Sequence, residues 1–205
     1  MRIRRTKDLD TKLIKYEHLL IKDPKSIKER FDQRPLELEI GFGKGEFLIE
    51  MARRNPQTNY LGIDKYSELF YSAARQVGEL DNILFMTGSV EDFLPQMEEG
   101  LFSGLYLNFS DPWPKDRHHK RRLTYRSFLK AYDRVLKKGS VVQIKTDNVI
   151  LFESTLQELA LVDKQVYDLS WDIQNDLSWK DSIPTYYEKR FTELGQKIMG
   201  LRYRS

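Results

Sequence analysis

A glycine-rich turn between an apolar segment and an amphipathic segment restricts the fold of this chain most strongly. LELEI (36–40) is predicted to form a buried strand, GFGKG (41–45) a tight turn, and GEFLIEMARR (45–54) a helix that ends before Asn55-Pro56. Glycine tolerates positive φ and lets the backbone approach a ligand closely. A strand, a glycine turn and a helix in this order begin the βαβ unit that binds nucleosides and dinucleotides.

The same alternation of strand-like and helix-like segments continues through the chain. Further strands are predicted at 58–64, 82–88, 104–109, 140–147, 164–171 and 196–204, with helices between them at 66–80, 90–97, 124–138, 148–161 and 186–195. The helix at 124–138 is expected to end at Gly139 as its C-terminal cap. This alternation predicts an α/β fold with a parallel sheet and right-handed crossovers.

Length and composition indicate one such domain. The 205 residues divide into a basic arm at 1–34, partly helical and partly mobile, and a domain at 35–205. The absence of cysteine excludes disulfides, thiolate-bound zinc and a cysteine nucleophile. No apolar run approaches the roughly 20 residues of a membrane span, and no signal core follows the basic first residues, so we expect a cytoplasmic chain.

Charge is unevenly distributed along the chain, although its net value is only +3. Residues 1–34 carry +5, residues 115–138 carry +8, and the remainder sums to −10. Such segregation is typical of a protein that binds a polyanion. The basic segments lack an exposed apolar helix face, so the pattern favours nucleic acid over a membrane surface.

Two acids accompany the glycine turn in the pattern of a nucleoside site. Glu39 stands two residues before the first of Gly41, Gly43 and Gly45, and Asp64 ends the next strand, where a carboxylate can accept hydrogen bonds from ribose hydroxyls. A carboxylate before GxGxG would repel a pyrophosphate and attract the ammonium group of a methionine moiety. S-adenosylmethionine therefore fits this pattern better than NAD.

The third strand is expected to supply one more cofactor contact. Ser89 is the choice by position, and Asp92 is the alternative. Both residues are also candidates for capping the short helix that follows.

The segment LNFSDPWPKDRHHKRRL (107–123) is interpreted as the active site. Asp111 follows a predicted buried strand, and ligands of open α/β sheets lie beyond the carboxyl ends of strands. Pro112 and Pro114 fix φ and keep Asp111 and Trp113 out of helical geometry. Trp113 either stacks on a base or packs in the core. Phosphate contacts are expected from the basic residues after the turn: Lys115, Arg117, Lys120, Arg121 and Arg122.

These segments together resemble the bacterial tRNA (guanine-N7-)-methyltransferases, the TrmB family. The resemblance rests on LEIGFGKGEFL, LGID, YLNFSDPWPKDRHHKRRLT, IKTDN and PTYYEKRFTELG, which span residues 36–195. It implies an α/β, Rossmann-like class I S-adenosylmethionine-dependent methyltransferase fold, with a mostly parallel seven-stranded sheet and helices on both faces. The implied reaction moves a methyl group from S-adenosylmethionine to N7 of a guanine in the tRNA variable loop, at position 46 in standard tRNA numbering.

The resemblance also implies roles for individual residues. Asp111 corresponds to the catalytic and cofactor-proximal acid. The cofactor contacts correspond to Glu39, Asp64 and Ser89, although Asp64 stands where Glu is frequent and Ser89 where an acid or Asn is common. Tyr186 also departs from the family, where Glu is frequent. The substrate contacts correspond to Lys115, Asp147, Thr185, Tyr186, Tyr187 and Glu188. The enzyme is expected to be a monomer or homodimer without an obligate protein partner.

Several alternatives remain open at this point. Either Asp111 or Asp147 reads the guanine edge, unless Asp147 merely caps the following helix. The residues at 185–188 either close over a ligand or begin a helix. His118 and His119 lack a second cluster of metal ligands, so no metal site is expected. Competing functions are a methyltransferase acting on an amino or amide nitrogen and a non-catalytic RNA-binding module.

Overall fold

The computed structural model describes residues 6–205, so the first five residues of the predicted arm lie outside the described residues. The chain forms two compact units, an N-terminal unit up to residue 98 and a C-terminal unit at 99–205. Together they contain seven strands, most of them parallel to their neighbours, and accompanying helices, which confirms the predicted α/β fold.

Three parallel strands form the N-terminal unit, with the second strand between the other two. The strands are β1 (Leu36–Ile40), β2 (Asn59–Asp64) and β3 (Ile83–Thr87). The helices are α1 (Leu9–Ile14), α2 (Ile27–Arg30), α3 (Glu46–Arg54), α4 (Ser67–Ala74) and α5 (Val90–Phe93). Ile40 pairs with Ile63 and Asp64 with Thr87, so the three strands end at one edge.

Residues that precede β1 pack onto the core of the N-terminal unit. Leu19 is buried in this core, and Leu13 and Tyr16 lie against it. The Ile21 N–H donates a hydrogen bond to the Phe85 carbonyl oxygen (2.8 Å), beside a parallel bridge from residue 20 to β3. This part of the predicted arm therefore covers β3, and a separate arm at 1–34 stays a prediction.

The C-terminal unit contains four strands in the order β4-β5-β7-β6. The strands are β4 (Phe102–Asn108), β5 (Leu136–Thr146), β6 (Val166–Ser170) and β7 (Met199–Arg204). The helices are α6 (Arg126–Val135), α7 (Val149–Leu161) and α8 (Tyr186–Glu193). Strands β4 and β5 are parallel, whereas β7 runs antiparallel to both β5 and β6. The carboxyl ends of β4 and β5 therefore meet at one edge.

The predicted end of the helix at 124–138 is wrong. Helix α6 ends at Val135, and β5 begins at once with Leu136, which is buried and pairs with Phe102. Gly139 has a φ of 81° and lies within an irregularity in the pairing of β5 with β4 instead of capping a helix. Glycine serves both purposes because it tolerates positive φ in helix caps and in bulges alike.

Candidate active site

The glycine turn after β1 adopts a backbone that other residues would strain. Gly41, Gly43 and Gly45 have φ values of 84°, 57° and 81°. The Gly41 N–H donates to the Ile63 carbonyl oxygen (2.7 Å), which ties the start of the turn to β2. Glu39 lies before the turn within β1 and is buried, with 2% of its surface exposed.

Asp64 connects the end of β2 to the same turn. Its Oδ2 accepts a hydrogen bond from the Gly43 N–H (2.9 Å), and its carbonyl oxygen accepts one from the Gly88 N–H (2.9 Å). The first bond fixes the carboxylate beside the glycine backbone. The turn, the second-strand acid and the end of β3 are thereby brought together at one edge, as the sequence predicted for a nucleoside site.

Ser89 and Asp92 differ in their relation to this edge. Ser89 is half-buried, follows Gly88 directly and stands at the N-cap of α5, where its side chain makes no capping hydrogen bond. Asp92 is exposed and lies within the four-residue helix. Neither side chain is used as the cap that the sequence allowed, and of the two residues Ser89 lies closer to the end of β3.

Asp111 stands on a turn with two strained residues. Phe109 and Trp113 have φ values of 52° and 42°, a backbone conformation that residues other than glycine rarely adopt. The Phe109 N–H donates to the Lys145 carbonyl oxygen (2.8 Å), so the turn starts from the paired end of β4. Asp111 itself is exposed, and no hydrogen-bond donor from residues 6–205 contacts its carboxylate. The turn therefore presents a carboxylate to solvent on a constrained backbone.

Trp113 is half-buried beside the basic segment. The Arg121 guanidinium carbon lies 5.1 Å from the centre of the tryptophan ring, within the range of a cation–π contact. The His118 ring meets Trp113 edge-on, with a centroid distance of 5.7 Å. Trp113 is thus packed against neighbours in its own segment, and stacking on a base stays a prediction.

The predicted phosphate contacts fall into two groups. Lys115 and three residues of the short 3-10 helix Asp116–Arg121, namely Arg117, Lys120 and Arg121, are exposed. Arg122 is buried, with 6% of its surface exposed. Its Nε donates to the Pro112 carbonyl oxygen (2.9 Å), its Nη1 to Ser154 Oγ (2.7 Å) and its Nη2 to the Trp113 carbonyl oxygen (3.3 Å).

Asp147 lies just beyond the end of β5 and is exposed. The cap of α7 is Asn148, whose Oδ1 accepts from the Leu151 N–H (2.9 Å). This finding removes the capping alternative for Asp147. Because β4 and β5 are paired neighbours, Asp111 and Asp147 both follow strands that end at the same edge.

The segment at 185–188 contains two buried and two more accessible residues. Thr185 and Glu188 form a capping box at the start of α8. Of the two alternatives for this segment, these two residues therefore fit the beginning of a helix. Glu188 Oε2 also accepts from Lys145 Nζ (2.8 Å), and Lys145 donates to the Ile183 carbonyl oxygen (3.0 Å). Tyr186 is exposed, and the half-buried Tyr187 lies 6.1 Å from Phe109, measured between ring centres.

Lys145 and Phe109 are two residues near the candidate site that the sequence did not reveal. The Lys145 side chain has no exposed surface, although it is a lysine. The signal that could have revealed it is a charged residue in an otherwise strand-like run, VVQIKTD, because a buried charge requires a partner. Phe109 has no such signal, since its positive φ follows only from the folded turn.

The described residues contain neither a metal cluster nor a membrane-spanning helix. Residues 6–205 contain no group of three or more His, Asp or Glu side chains arranged to hold a metal ion. Within the same residues, no helix combines the length and the apolar character needed to cross a bilayer.

The mostly parallel strands, the glycine turn after β1 and the acid at the end of β2 define a Rossmann-like fold of the class I methyltransferase type. Solved structures agree. A structure described as an antibiotic-related methyltransferase aligns with a TM-score of 0.60 and 18% identity, covering 100% of this chain and 96% of the other. The 16S rRNA methyltransferase KamB aligns with a TM-score of 0.61 and 15% identity, covering 99% and 95%.

Sequence comparisons identify the family. Residues 33–201 match the profile of a family described as "Putative methyltransferase". A protein of Mycoplasmopsis pulmonis (strain UAB CTIP), named tRNA (guanine-N(7)-)-methyltransferase, is 38% identical over 200 residues, which is 97% of this chain and 96% of the relative. The chain therefore belongs to the TrmB family of tRNA (guanine-N7-)-methyltransferases, as its motifs indicated.

Proposed function

We propose that this methyltransferase transfers the methyl group of S-adenosylmethionine to N7 of a guanine in the variable loop of tRNA. The observation that carries the proposal is the similarity to the Mycoplasmopsis relative along almost the whole chain. The fold alone does not identify the substrate, because structures of similar fold include a 16S rRNA methyltransferase and a precorrin methyltransferase. The sequence of the chain, and not its fold, therefore points to tRNA.

The N-terminal unit fits S-adenosylmethionine in its chemistry. A Cβ added to Gly41 or Gly43 would meet nothing within 4 Å, so there is open space beside the turn for a ligand. Glu39 supplies a negative charge for the ammonium group, and Asp64 supplies acceptors for ribose hydroxyls. Ser89 is proposed to contact the adenine end. When bound, the cofactor supplies a methyl group on a sulfonium, which needs no activation by the protein.

The reaction needs positioning more than proton transfer. Guanine N7 has an in-plane lone pair and no proton, so its attack on the methyl carbon requires no general base. The protein must hold sulfur, carbon and nitrogen in line, which can contribute several kcal/mol. The guanine becomes cationic as it is methylated, and a carboxylate close to the ring favours this charge. Asp111 is proposed for that role because its carboxylate is exposed and lacks a partner within residues 6–205.

Selection of guanine is assigned to the acids that follow β4 and β5. A carboxylate can accept from both N1–H and the exocyclic amine of guanine, which adenine cannot match. Such a bidentate contact is typically worth about 1–3 kcal/mol of discrimination. Asp147 is exposed and does not cap α7, so it is available for this contact while Asp111 lies near the reacting atom.

Binding of the tRNA is assigned to exposed charges and aromatic rings. Phosphate contacts are proposed for four exposed cations, because their binding to phosphates releases counterions from the RNA and so favours association. They are Lys115, Arg117, Lys120 and Arg121. Tyr186 and Tyr187 are proposed to stack on the unpaired base, because single-stranded bases commonly bind aromatic faces. The basic arm at 1–34 is proposed to add a further phosphate contact. A tRNA substrate also supports a cytoplasmic location.

The test is a methylation assay with purified protein, methyl-labelled S-adenosylmethionine and an unmodified tRNA transcript, followed by digestion to nucleosides. We expect label in 7-methylguanosine and none when the variable-loop guanine is replaced by adenine. Asp111→Asn is expected to reduce kcat by about a hundredfold or more, because it removes the charge that favours the cationic product. Asp116→Asn, an exposed acid in the same segment, is the matched control and should keep wild-type activity.

Label in another nucleoside would refute the proposed target but not the methyltransferase fold. A wild-type kcat for Asp111→Asn would refute the role given to this carboxylate. Absence of label in tRNA, together with label in ribosomal RNA, would move the substrate to another RNA.

A further inference from the structure

We propose that Arg122 is a positioning residue that holds the Asp111 turn, and that it does not contact the phosphates of the RNA. This inference rests on the proposed function, because it concerns the placement of the carboxylate assigned to catalysis. It separates Arg122 from the exposed cations that precede it, Lys120 and Arg121, with which the sequence alone had grouped it.

The guanidinium of Arg122 is occupied by contacts within the protein. Only 6% of the residue is exposed. On one side, its guanidinium donates to the carbonyl oxygens of Pro112 and Trp113, the two residues that follow Asp111. On another side, it donates to Ser154 Oγ at 2.7 Å, in the middle of α7. The planar guanidinium thus connects the turn to a helix, a geometry that a lysine with its single ammonium cannot reproduce.

The anchor of this connection is itself well fixed. Thr155 Oγ1 donates to Thr124 Oγ1 (2.8 Å), and the Arg126 Nε donates to Glu158 Oε2 (2.8 Å). The segment that carries Arg122 is therefore attached to α7 at three successive points. A side chain attached in this way can impose a position on the turn instead of following it.

The turn requires such support because of its backbone. Residues such as Phe109 and Trp113 in the left-handed region cost about 1–3 kcal/mol each, and such residues persist only where the surroundings hold them. Pro112 and Pro114 have no N–H, so the turn has fewer backbone donors for internal hydrogen bonds. Arg122 supplies donors from outside the turn to two of its carbonyl oxygens.

The expected effect of losing Arg122 is on the chemical step. If the turn relaxes, Asp111 moves away from the reacting base, and a displacement of about 1 Å can reduce the rate about a hundredfold. Binding of tRNA should change little, because Arg122 is buried. A phosphate contact would behave in the opposite way: its loss raises KM and lowers the salt dependence of binding by about one counterion.

The experiment compares Arg122→Lys with Arg54→Lys in the full-length protein; Arg54 is an exposed arginine at the end of α3 with no role in catalysis or binding. Both variants keep the charge, so a phosphate contact made by residue 122 would largely survive its substitution by lysine. We expect Arg122→Lys to reduce kcat about ten- to a hundredfold with an unchanged KM for tRNA, and Arg54→Lys to keep the wild-type kcat. Hydrogen exchange of the amides at 109–115 is the second readout and should become faster in Arg122→Lys only. This readout does not depend on the substrate.

Ser154→Ala is the milder variant in case Arg122→Lys does not fold. It removes one of the three hydrogen bonds of the guanidinium, and we expect a severalfold lower kcat, an unchanged KM and faster exchange at 109–115. The proposal is overturned if Arg122→Lys and Ser154→Ala keep the wild-type kcat and exchange pattern, or if their KM for tRNA rises while kcat stays constant. Failure of the wild-type protein to form 7-methylguanosine would refute the proposed function alone, since the exchange measurement would still report on the turn.

Discussion

Lys145 carries its charge at a position where none of its side chain reaches solvent. The Glu188 carboxylate and the Ile183 carbonyl oxygen accept from its Nζ, at 2.8 Å and 3.0 Å. The same carboxylate completes the capping box of α8 with Thr185. One buried ion pair therefore fixes the start of α8 to the end of β5, and with it the positions of Tyr186 and Tyr187.

Lys145→Met is expected to lower the free energy of unfolding by about 3–5 kcal/mol, because it leaves the Glu188 carboxylate buried without its cation. The double variant Lys145→Met/Glu188→Gln should recover much of this loss, since a neutral glutamine can still complete the capping box. Urea denaturation followed by circular dichroism measures both. Arg54→Met, which breaks the more exposed pair with Glu50, is the control and should cost less than about 1 kcal/mol. A similarly small loss in Lys145→Met would contradict the argument.

Tyr203 makes the fold sensitive to alkaline pH. Burial raises the pKa of its hydroxyl well above the ordinary value of 10.0, and the nearby Asp133 carboxylate raises it further. The folded state therefore keeps Tyr203 protonated while the unfolded chain loses the proton from about pH 10 upward. The stabilisation is complete below that pH and is lost as the pH rises toward the folded pKa.

Tyr203→Phe should consequently be more resistant to alkaline unfolding than the wild type. At pH 7 we expect a change near zero, because no group in residues 6–205 forms a hydrogen bond with the Tyr203 hydroxyl. The measurement is thermal unfolding as a function of pH between 7 and 11. Tyr167→Phe, at an exposed tyrosine, serves as the control and should follow the wild-type curve. The prediction would be contradicted if the unfolding temperatures of Tyr203→Phe and the wild type changed in parallel with pH.

At the scale of elements, the glycine turn and the packing of α3 on α4 depend on the same residue. Gly45 stands at the N-terminus of α3 with a φ of 81°, and a Cβ added to it would lie 2.6 Å from Ala73 Cβ in α4. The glycine is required twice, once for its backbone angle and once for the close approach of two helices.

Gly45→Ala should therefore cost more than a substitution that only strains φ. Gly78 has a similar φ of 65° but open space around an added Cβ. Gly78→Ala is expected to cost about 1–2 kcal/mol from the left-handed backbone. Gly45→Ala should add about 1–3 kcal/mol from overpacking against Ala73. Equal urea midpoints for the two variants would show that the contact between the helices relaxes without cost.

The sequence predicted the strands well and the ends of some elements poorly, for physical reasons. Buried parallel strands are continuous apolar runs, so β1, β2 and β3 each lie within their predicted segments. Gly139 was misassigned because positive φ fits a helix cap and a strand irregularity equally well. The choice between them depends on Leu136 pairing with Phe102, which lies on another strand and which local sequence does not reveal.

For the whole molecule, the order of motifs along the chain predicted where most candidate site residues lie, since every motif except the one at 185–188 directly follows a strand. It did not predict which charges are buried. Arg122 looks like its exposed neighbours in sequence, and its burial depends on Ser154, which is 32 residues away. Glu188 depends likewise on Lys145, at a separation of 43 residues. Partners this distant meet only through the tertiary fold, so composition and spacing cannot distinguish a cation that meets RNA from one that supports the turn.

The reversed strand β7 has a consequence for how the chain is made. It pairs with both β5 and β6, yet the ribosome synthesises it after both. All three strands of the N-terminal unit are available once residue 87 has emerged, whereas β6 has no strand partner within the C-terminal unit until residues 199–204 follow. Long-range pairing of this kind is slow and leaves strand edges open to aggregation. A nascent chain stalled before β7 would thus present an incomplete sheet, a natural target for chaperones.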